Sequence, residues 1–212
     1  MRSRLHVAAQ RGFTIVELLI ATAVFSTVLI VVTTGILQFS SVYYKGVTET
    51  NVQNTARAIM DTIAQSIQFG GGAVSGTGAS TPGGSFDVCV GTVQYSYRLG
   101  YQLADSGATG NQTYHSLLVQ TVAGCSAPTG GQDMTSSGAL SGRELLVPHM
   151  RLSNLVVTNV TGDLYKIQVR VVFGDDDLLD NPTAADASCK GNAGRQFCAV
   201  SDLSTVVIKR VK

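Results

Sequence analysis

Glu17 is the residue whose chemistry its neighbours explain least. It is the one ionisable side chain in residues 13–37, FTIVELLIATAVFSTVLIVVTTGIL. A carboxylate inside an apolar membrane helix costs on the order of 2.5–3.5 kcal/mol on insertion scales, so such a group marks a functional position and needs a partner. Cleavage after Gly12 would supply one. It would free an α-amino group on Phe13, four residues before Glu17, and such a cation could pair with a neighbouring subunit's carboxylate and set axial register. Four cysteines, Cys89, Cys125, Cys189 and Cys198, bring oxidative chemistry if they lie outside the cytoplasm. Of the three connectivities that four cysteines allow, Cys189 with Cys198 and Cys89 with Cys125 closes local loops in turn-rich segments, and it is the pairing expected. Asp175, Asp176, Asp177 and Asp180 offer hard oxygen ligands near Asn181 and Pro182. Their spacing lacks the glycine and terminal glutamate of an EF-hand, so a solvated acidic turn is expected, with calcium as the alternative.

Other chemistries find little footing. A zinc site lacks any CxxC, and the histidines are only His6, His115 and His149. Neither His115 nor His149 has a motif-placed nucleophile and no GxSxG occurs, so no enzymatic activity is expected. Residues 70–85, GGGAVSGTGASTPGGS, are glycine-rich but lack GxxxxGK[ST], which argues against a phosphate-binding loop. Asn111-Gln112-Thr113 and Asn159-Val160-Thr161 match the glycosylation sequon, a triplet that arises often by chance. With a formal charge of +1, the chain has no global field to attract nucleic acid, and no direct binding of it is expected.

The elements that must position Glu17 and the cysteines follow from hydropathy. At 212 residues the chain has room for one sizeable core and an appendage. Its mean hydropathy is +0.21. The run 13–37 alone sums to about +55 against about +45 for the whole chain, so the apolar excess is that single segment. As a helix its 25 residues span roughly 37 Å, enough to cross a hydrocarbon core. Arg2, Arg4 and Arg11 precede it with no acid among them, which keeps the start cytoplasmic and sends the remainder outward. A cleaved secretory signal fits poorly, because the run exceeds an ordinary h-region and no small-x-small site follows it. Past residue 37, Val52, Ala56, Ile59, Met60, Ile63 and Ile67 fall on one helical face, with Arg57, Asp61, Gln65 and Gln68 largely opposite. A helix from Phe13 to Phe69 would reach roughly 85 Å, with Gly35 and Gly46 as points of bending and a stop by Gly70.

Strand-like runs follow at Phe86–Val90, Val93–Leu103, Tyr114–Val122, Glu144–Val147, Leu155–Val160, Tyr165–Phe173 and Ser204–Val211. Alternation is cleanest at Val93, Tyr95, Tyr97 and Leu99, and at Tyr165, Ile167 and Val169. No helical pattern recurs between them, so the sheet is expected to be antiparallel and the class α+β.

Arg11-Gly12-Phe13-Thr14-Ile15-Val16-Glu17-Leu18-Leu19 and the unbroken apolar run behind it resemble the processing motif of type IV prepilins and type II secretion pseudoprepilins. The resemblance implies that a prepilin peptidase cuts between Gly12 and Phe13 and methylates the Phe13 amine, and that Glu17 is the register carboxylate. It implies a pilin-like fold, with a long N-terminal helix packed on an antiparallel sheet. The expected divisions are a leader at 1–12, a membrane and fibre-core helix at 13–37, its amphipathic continuation at 38–69, a glycine-rich loop at 70–85 and an exported β-rich domain at 86–212. Size and element order are similar to the larger minor pilins and J-type pseudopilins of PilW-like kind. The Cys189–Cys198 pair would resemble the disulfide-closed C-terminal loop of many pilins, and some pseudopilins hold calcium in a C-terminal loop.

The resemblance further implies a structural subunit of a type IV pilus or a related secretion or DNA-uptake fibre. It would sit first in the cytoplasmic membrane as a single-pass protein and then in the pilus or at the cell surface. Its partners would be other pilins, the peptidase, the membrane assembly platform and, before assembly, the lipid bilayer. The competing expectation is a membrane-anchored exported binding domain or adhesin outside any fibre. Residues 38–212 hold 12 bases and 13 acids, a low charge density that suits a surface meeting other subunits.

Overall fold

The computed structural model describes residues 12–76, 85–102, 116–125, 134, 140–191 and 194–211. The expectations placed on the leader before Gly12, on residues 77–84 and on Leu103, Tyr114, His115 and the Asn111 sequon lie outside the described residues. By its internal contacts the chain divides into two units, one ending at Val42 and the other running from Tyr43.

A single helix, α1, runs Ile15–Phe69 without interruption through Gly35 and Gly46. It starts two residues later than the hydropathy run because Thr14 takes the capping position. It ends where glycines begin: the Gly70 amide still reaches the Ser66 carbonyl at 2.8 Å. Gly71 and Gly72 then turn the chain at φ +61° and +77°. Residues 12–39 are exposed on every side. From Thr48 onward burial follows the predicted stripe: Val52, Ala56, Ile59, Ile63 and Ile67 are fully buried, while Met60 packs at the margin. Between these stretches lies YYKGVTETN, residues 43–51. Its glycine, three β-branched residues, asparagine and two tyrosines make it roughly 4–5 kcal/mol less helix-favouring than alanine in sum. Helix here therefore depends on contacts made elsewhere in the domain.

The described strands form three antiparallel sheets, in keeping with the expected α+β class. The first, in chain order, is β1 (Val74–Ser75), β2 (Ser85–Val90), β3 (Val93–Arg98), β4 (Leu117–Thr121) and β5 (Arg143–Glu144). The second is β6 (Met150–Thr161), β7 (Leu164–Phe173) and β10 (Ala199–Ile208), with β7 in the middle. The third is the short pair β8 (Leu179–Asp180) and β9 (Ser188–Cys189). The inward faces meet α1: Val88, Tyr95 and Tyr97 from the first sheet and Leu155, Val157, Ile167 and Val169 from the second share one core with Ile59 and Ile63. Tyr95 carries its hydroxyl into that core, where it meets Ser66 Oγ at 2.6 Å and the Thr62 carbonyl at 3.2 Å. Burial pushes its pKa above the usual tyrosine value, a shift that the Ser66 bond and the charge of Arg143 partly oppose.

Several boundaries differ from the sequence expectation. The glycine-rich stretch is not all loop: Val74 and Ser75 pair with Val90 and Cys89 as an edge strand. The run expected to reach Leu103 leaves the first sheet after Arg98, because Gly100 at φ +77° turns it toward β6. There the Gly100 amide reaches the Leu152 carbonyl at 2.8 Å and Gln102 bridges to Arg151. A Cβ on Gly100 would meet the Thr183 backbone at 2.6 Å, so that turn admits no other residue. β6 begins at Met150 rather than Leu155, and β10 at Ala199 rather than Ser204.

Candidate functional site

Gly12, Phe13 and Thr14 precede the helix, and Phe13 is 85% exposed. Thr14 and Glu17 form a reciprocal capping box. The Thr14 amide and hydroxyl each donate to Glu17 Oε2 at 2.9 Å, and the Glu17 amide donates to Thr14 Oγ1 at 3.2 Å. The carboxylate thus has partners within its own helix start, where the helix dipole also favours negative charge. The T-x-x-E spacing was the signal for this role, and a reading focused on the acid alone passes over Thr14. Farther along, the hydroxyls of Thr22, Ser26, Thr27, Thr33 and Thr34 all donate to carbonyls three or four residues back. The polar groups of this segment are therefore satisfied without external partners, as a helix in an apolar medium requires. The helix is long and apolar enough to cross a membrane, and none of its most apolar stretch is buried in the protein.

The cysteines and aspartates meet in the other unit. Cys89 is bonded to Cys125 and Cys189 to Cys198, with Cα separations of 5.7 and 5.8 Å. The first bond ties β2 to the chain after β4. The second closes a loop between β9 and the start of β10 that contains the 3-10 turn Arg195–Phe197. That loop faces α1: Lys45 Nζ donates to the Cys198 carbonyl at 2.6 Å and Thr48 Oγ1 to the Gln196 carbonyl at 3.2 Å. The Phe197 ring lies 5.8 Å from that of Tyr44.

The acidic run turns around a cation that sequence reasoning left unremarked. Arg151, on β6, is only 1% exposed. Its guanidinium donates to the carbonyls of Gly174 at 3.0 Å and Pro182 at 3.3 Å and meets Asp176 Oδ1 at 2.7 Å. Asp175 accepts from Gln102 at 2.9 Å and lies 3.4 Å from His149 Nδ1. The Gln102 hydrogen bond holds its carboxyl below the usual aspartate range, with His149 and Arg151 adding to the effect and partial burial opposing it. Asp177 and Asp180 remain exposed. Among the described residues no three histidine, cysteine, aspartate or glutamate side chains converge on a metal-sized site. His149, Phe173, Gly174, Asp175, Leu178 and Phe197 line an open cleft of about 210 Å³. Chemically, these groups brace a loop: one buried guanidinium and one disulfide hold about 25 residues against the β6–β7 sheet.

Residues 7–33 match the family model for the prokaryotic N-terminal methylation motif, the prepilin-type cleavage and methylation signal. The match spans Gly12, Phe13, Thr14 and Glu17 and an eighth of the chain. The motif belongs to structural rather than enzymatic proteins. No curated protein and no solved structure matches the chain.

Proposed function

We propose that this chain is a pilin-like structural subunit, a minor pilin or pseudopilin of a type IV pilus or a related secretion or DNA-uptake fibre. A prepilin peptidase cuts between Gly12 and Phe13 and methylates the new amine. The helix then leaves the bilayer, with the help of a membrane assembly platform, for a core of other subunits' helices, while the domain beyond it stays outside the cytoplasmic membrane. In the fibre the freed Phe13 amine of one subunit takes the Glu17 carboxylate of another. That pairing selects register, because a misplaced subunit leaves a charge in apolar surroundings.

The observation that carries this reading is the coincidence of the methylation motif with a helix start whose following residues expose apolar side chains all round. A surface of that kind is stable only in lipid or among other helices. The capping box adds support, since it lets Glu17 enter the membrane with Oε2 twice partnered before any neighbour is present.

Mass spectrometry of the mature N-terminus tests the proposal. N-methyl-Phe13 is the expected terminus. An intact chain from Met1 would refute processing and leave a tethered binding domain or adhesin. Glu17→Ala is expected to reduce incorporation into fibres while the exported domain folds normally, and equal incorporation of variant and wild type would refute the register role.

A further inference from the structure

We propose that the loop closed by Cys189–Cys198 is a clamp that keeps α1 wound across Tyr43–Asn51, and that opening it lets this stretch unwind while the rest of the domain stays folded. Three observations converge on it. First, residues 43–51 are weak in helix propensity, with Gly46 among Val47, Thr48 and Thr50. Downstream, the core holds α1 from Val52; this stretch has only Thr48 buried.

Second, among the described residues every hydrogen bond and ring contact from this stretch to the rest of the domain ends on three consecutive residues. Tyr44 meets the Phe197 ring, Lys45 donates to the Cys198 carbonyl and Thr48 to the Gln196 carbonyl. The remaining bonds of the stretch, Lys45 with Glu49 and the Thr48 and Thr50 hydroxyls with carbonyls of their own helix, add nothing from outside. Third, the last of those three residues is held by two separate ties. Just beyond Cys198, β10 begins and pairs with β7. At Cys198 itself, the disulfide ties the turn back to Cys189, which β9 anchors to β8. Gly174, just past β7 at φ +137°, passes close enough to Cys198 that a Cβ there would touch its Sγ at 3.5 Å, so the chain leaving β7 lies against the bond. Breaking the disulfide removes the tie to β9 and leaves the start of β10 alone to place the turn that offers Gln196 and Phe197 to the helix.

Hydrogen exchange on the full chain in detergent micelles tests this without requiring a fibre, so its failure is separate from failure of the pilin reading. In a Cys189→Ser, Cys198→Ser double variant, amides of residues 45–51 are expected to exchange about tenfold faster than in the wild type. Those of Ile63–Ile67 and of β7 should keep their rates. A second chain, Thr48→Val with Phe197→Ala, keeps the disulfide and removes two of the three contacts; it should show the same local acceleration. Unchanged exchange at 45–51 in the folded cysteine variant overturns the proposal, and so does unchanged exchange there in this second chain. Equal acceleration through β7 and 45–51 in it also does, because the loop would then be a general stabiliser. If the cysteine variant fails to fold, the second chain decides alone.

Discussion

Residues 15–39 and 52–67 of α1 share one backbone conformation and have opposite surroundings. In the first stretch apolar side chains point in every direction and all are exposed; in the second a single stripe is buried and the other faces are polar. Among the described residues the first has no packing partner, which is why the proposed function places it in lipid or among other helices. The second is held by its own domain. Polar groups differ in the same way: hydroxyls in the first stretch turn back onto their own helix, whereas Ser66 reaches across to Tyr95. Helicity alone therefore tells little about where a helix's stability originates, and the distribution of its apolar faces tells much more.

The contrast can be broken by mutation. Ile63 is fully buried. Ile63→Ala should destabilise the domain by about 2–5 kcal/mol, whereas Leu29→Ala should leave its unfolding midpoint unchanged. Denaturant unfolding of the full chain in micelles measures both, and similar losses would end the distinction. Arg151→Met should cost about 2–3 kcal/mol, because the carbonyls of Gly174 and Pro182 lose their buried donor and Asp176 its cation. Calorimetry should show this loss with no change in the exchange of residues 15–39. Thr14→Val removes the side-chain half of the capping box and should weaken the helix start by about 1 kcal/mol. The readout is faster exchange of the first-turn amides at a constant domain midpoint, and Thr14→Ser should restore the wild-type rate.

The smallest effects are on pH dependence, and both belong to the domain. The folded state lowers the pKa of Asp175, so its contribution is present above the ordinary aspartate value and is lost as pH falls through the folded one. Gln102→Ala should flatten the acid limb of a stability–pH profile. The folded state raises the pKa of Tyr95, so its contribution is complete below the ordinary tyrosine value and is lost as pH rises toward the folded one. Tyr95→Phe should flatten the alkaline limb.

Periodic apolar patterns were legible because periodicity is what burial imposes on a sequence. The stripe from Val52 to Ile67 appears in the structure with little change, and of the alternation at Tyr165, Ile167 and Val169 the last two are fully buried and Tyr165 partly so. Boundaries failed where buried positions carry polar residues. β6 begins early because Arg151 and Ser153 are buried and donate to loop carbonyls, Ser153 to that of Ala184 at 2.7 Å. In one dimension those residues read as surface. β10 starts early for a similar reason, with Ser201 buried between Ala199 and Leu203. Strands of two residues carry no period at all, so β1, β8 and β9 left no trace, while the run expected at Glu144–Val147 meets β5 only at Glu144. At the N-terminus the acid was conspicuous, while its threonine partner required the spacing rule rather than hydropathy.

The helix that opens this domain is finished by residues near its far end. The Gln68 carbonyl accepts from the Arg210 amide at 3.1 Å, and Lys209 Nζ reaches the Gly72 carbonyl. Closing these contacts joins segments about 140 residues apart, a slow step that local structure cannot hasten. For a chain threaded across a membrane in sequence order, it also sets a schedule. On the proposed function the end of α1 would emerge early and wait with an open core until residue 210 arrives, and premature packing against another copy of the domain would be most available during that interval.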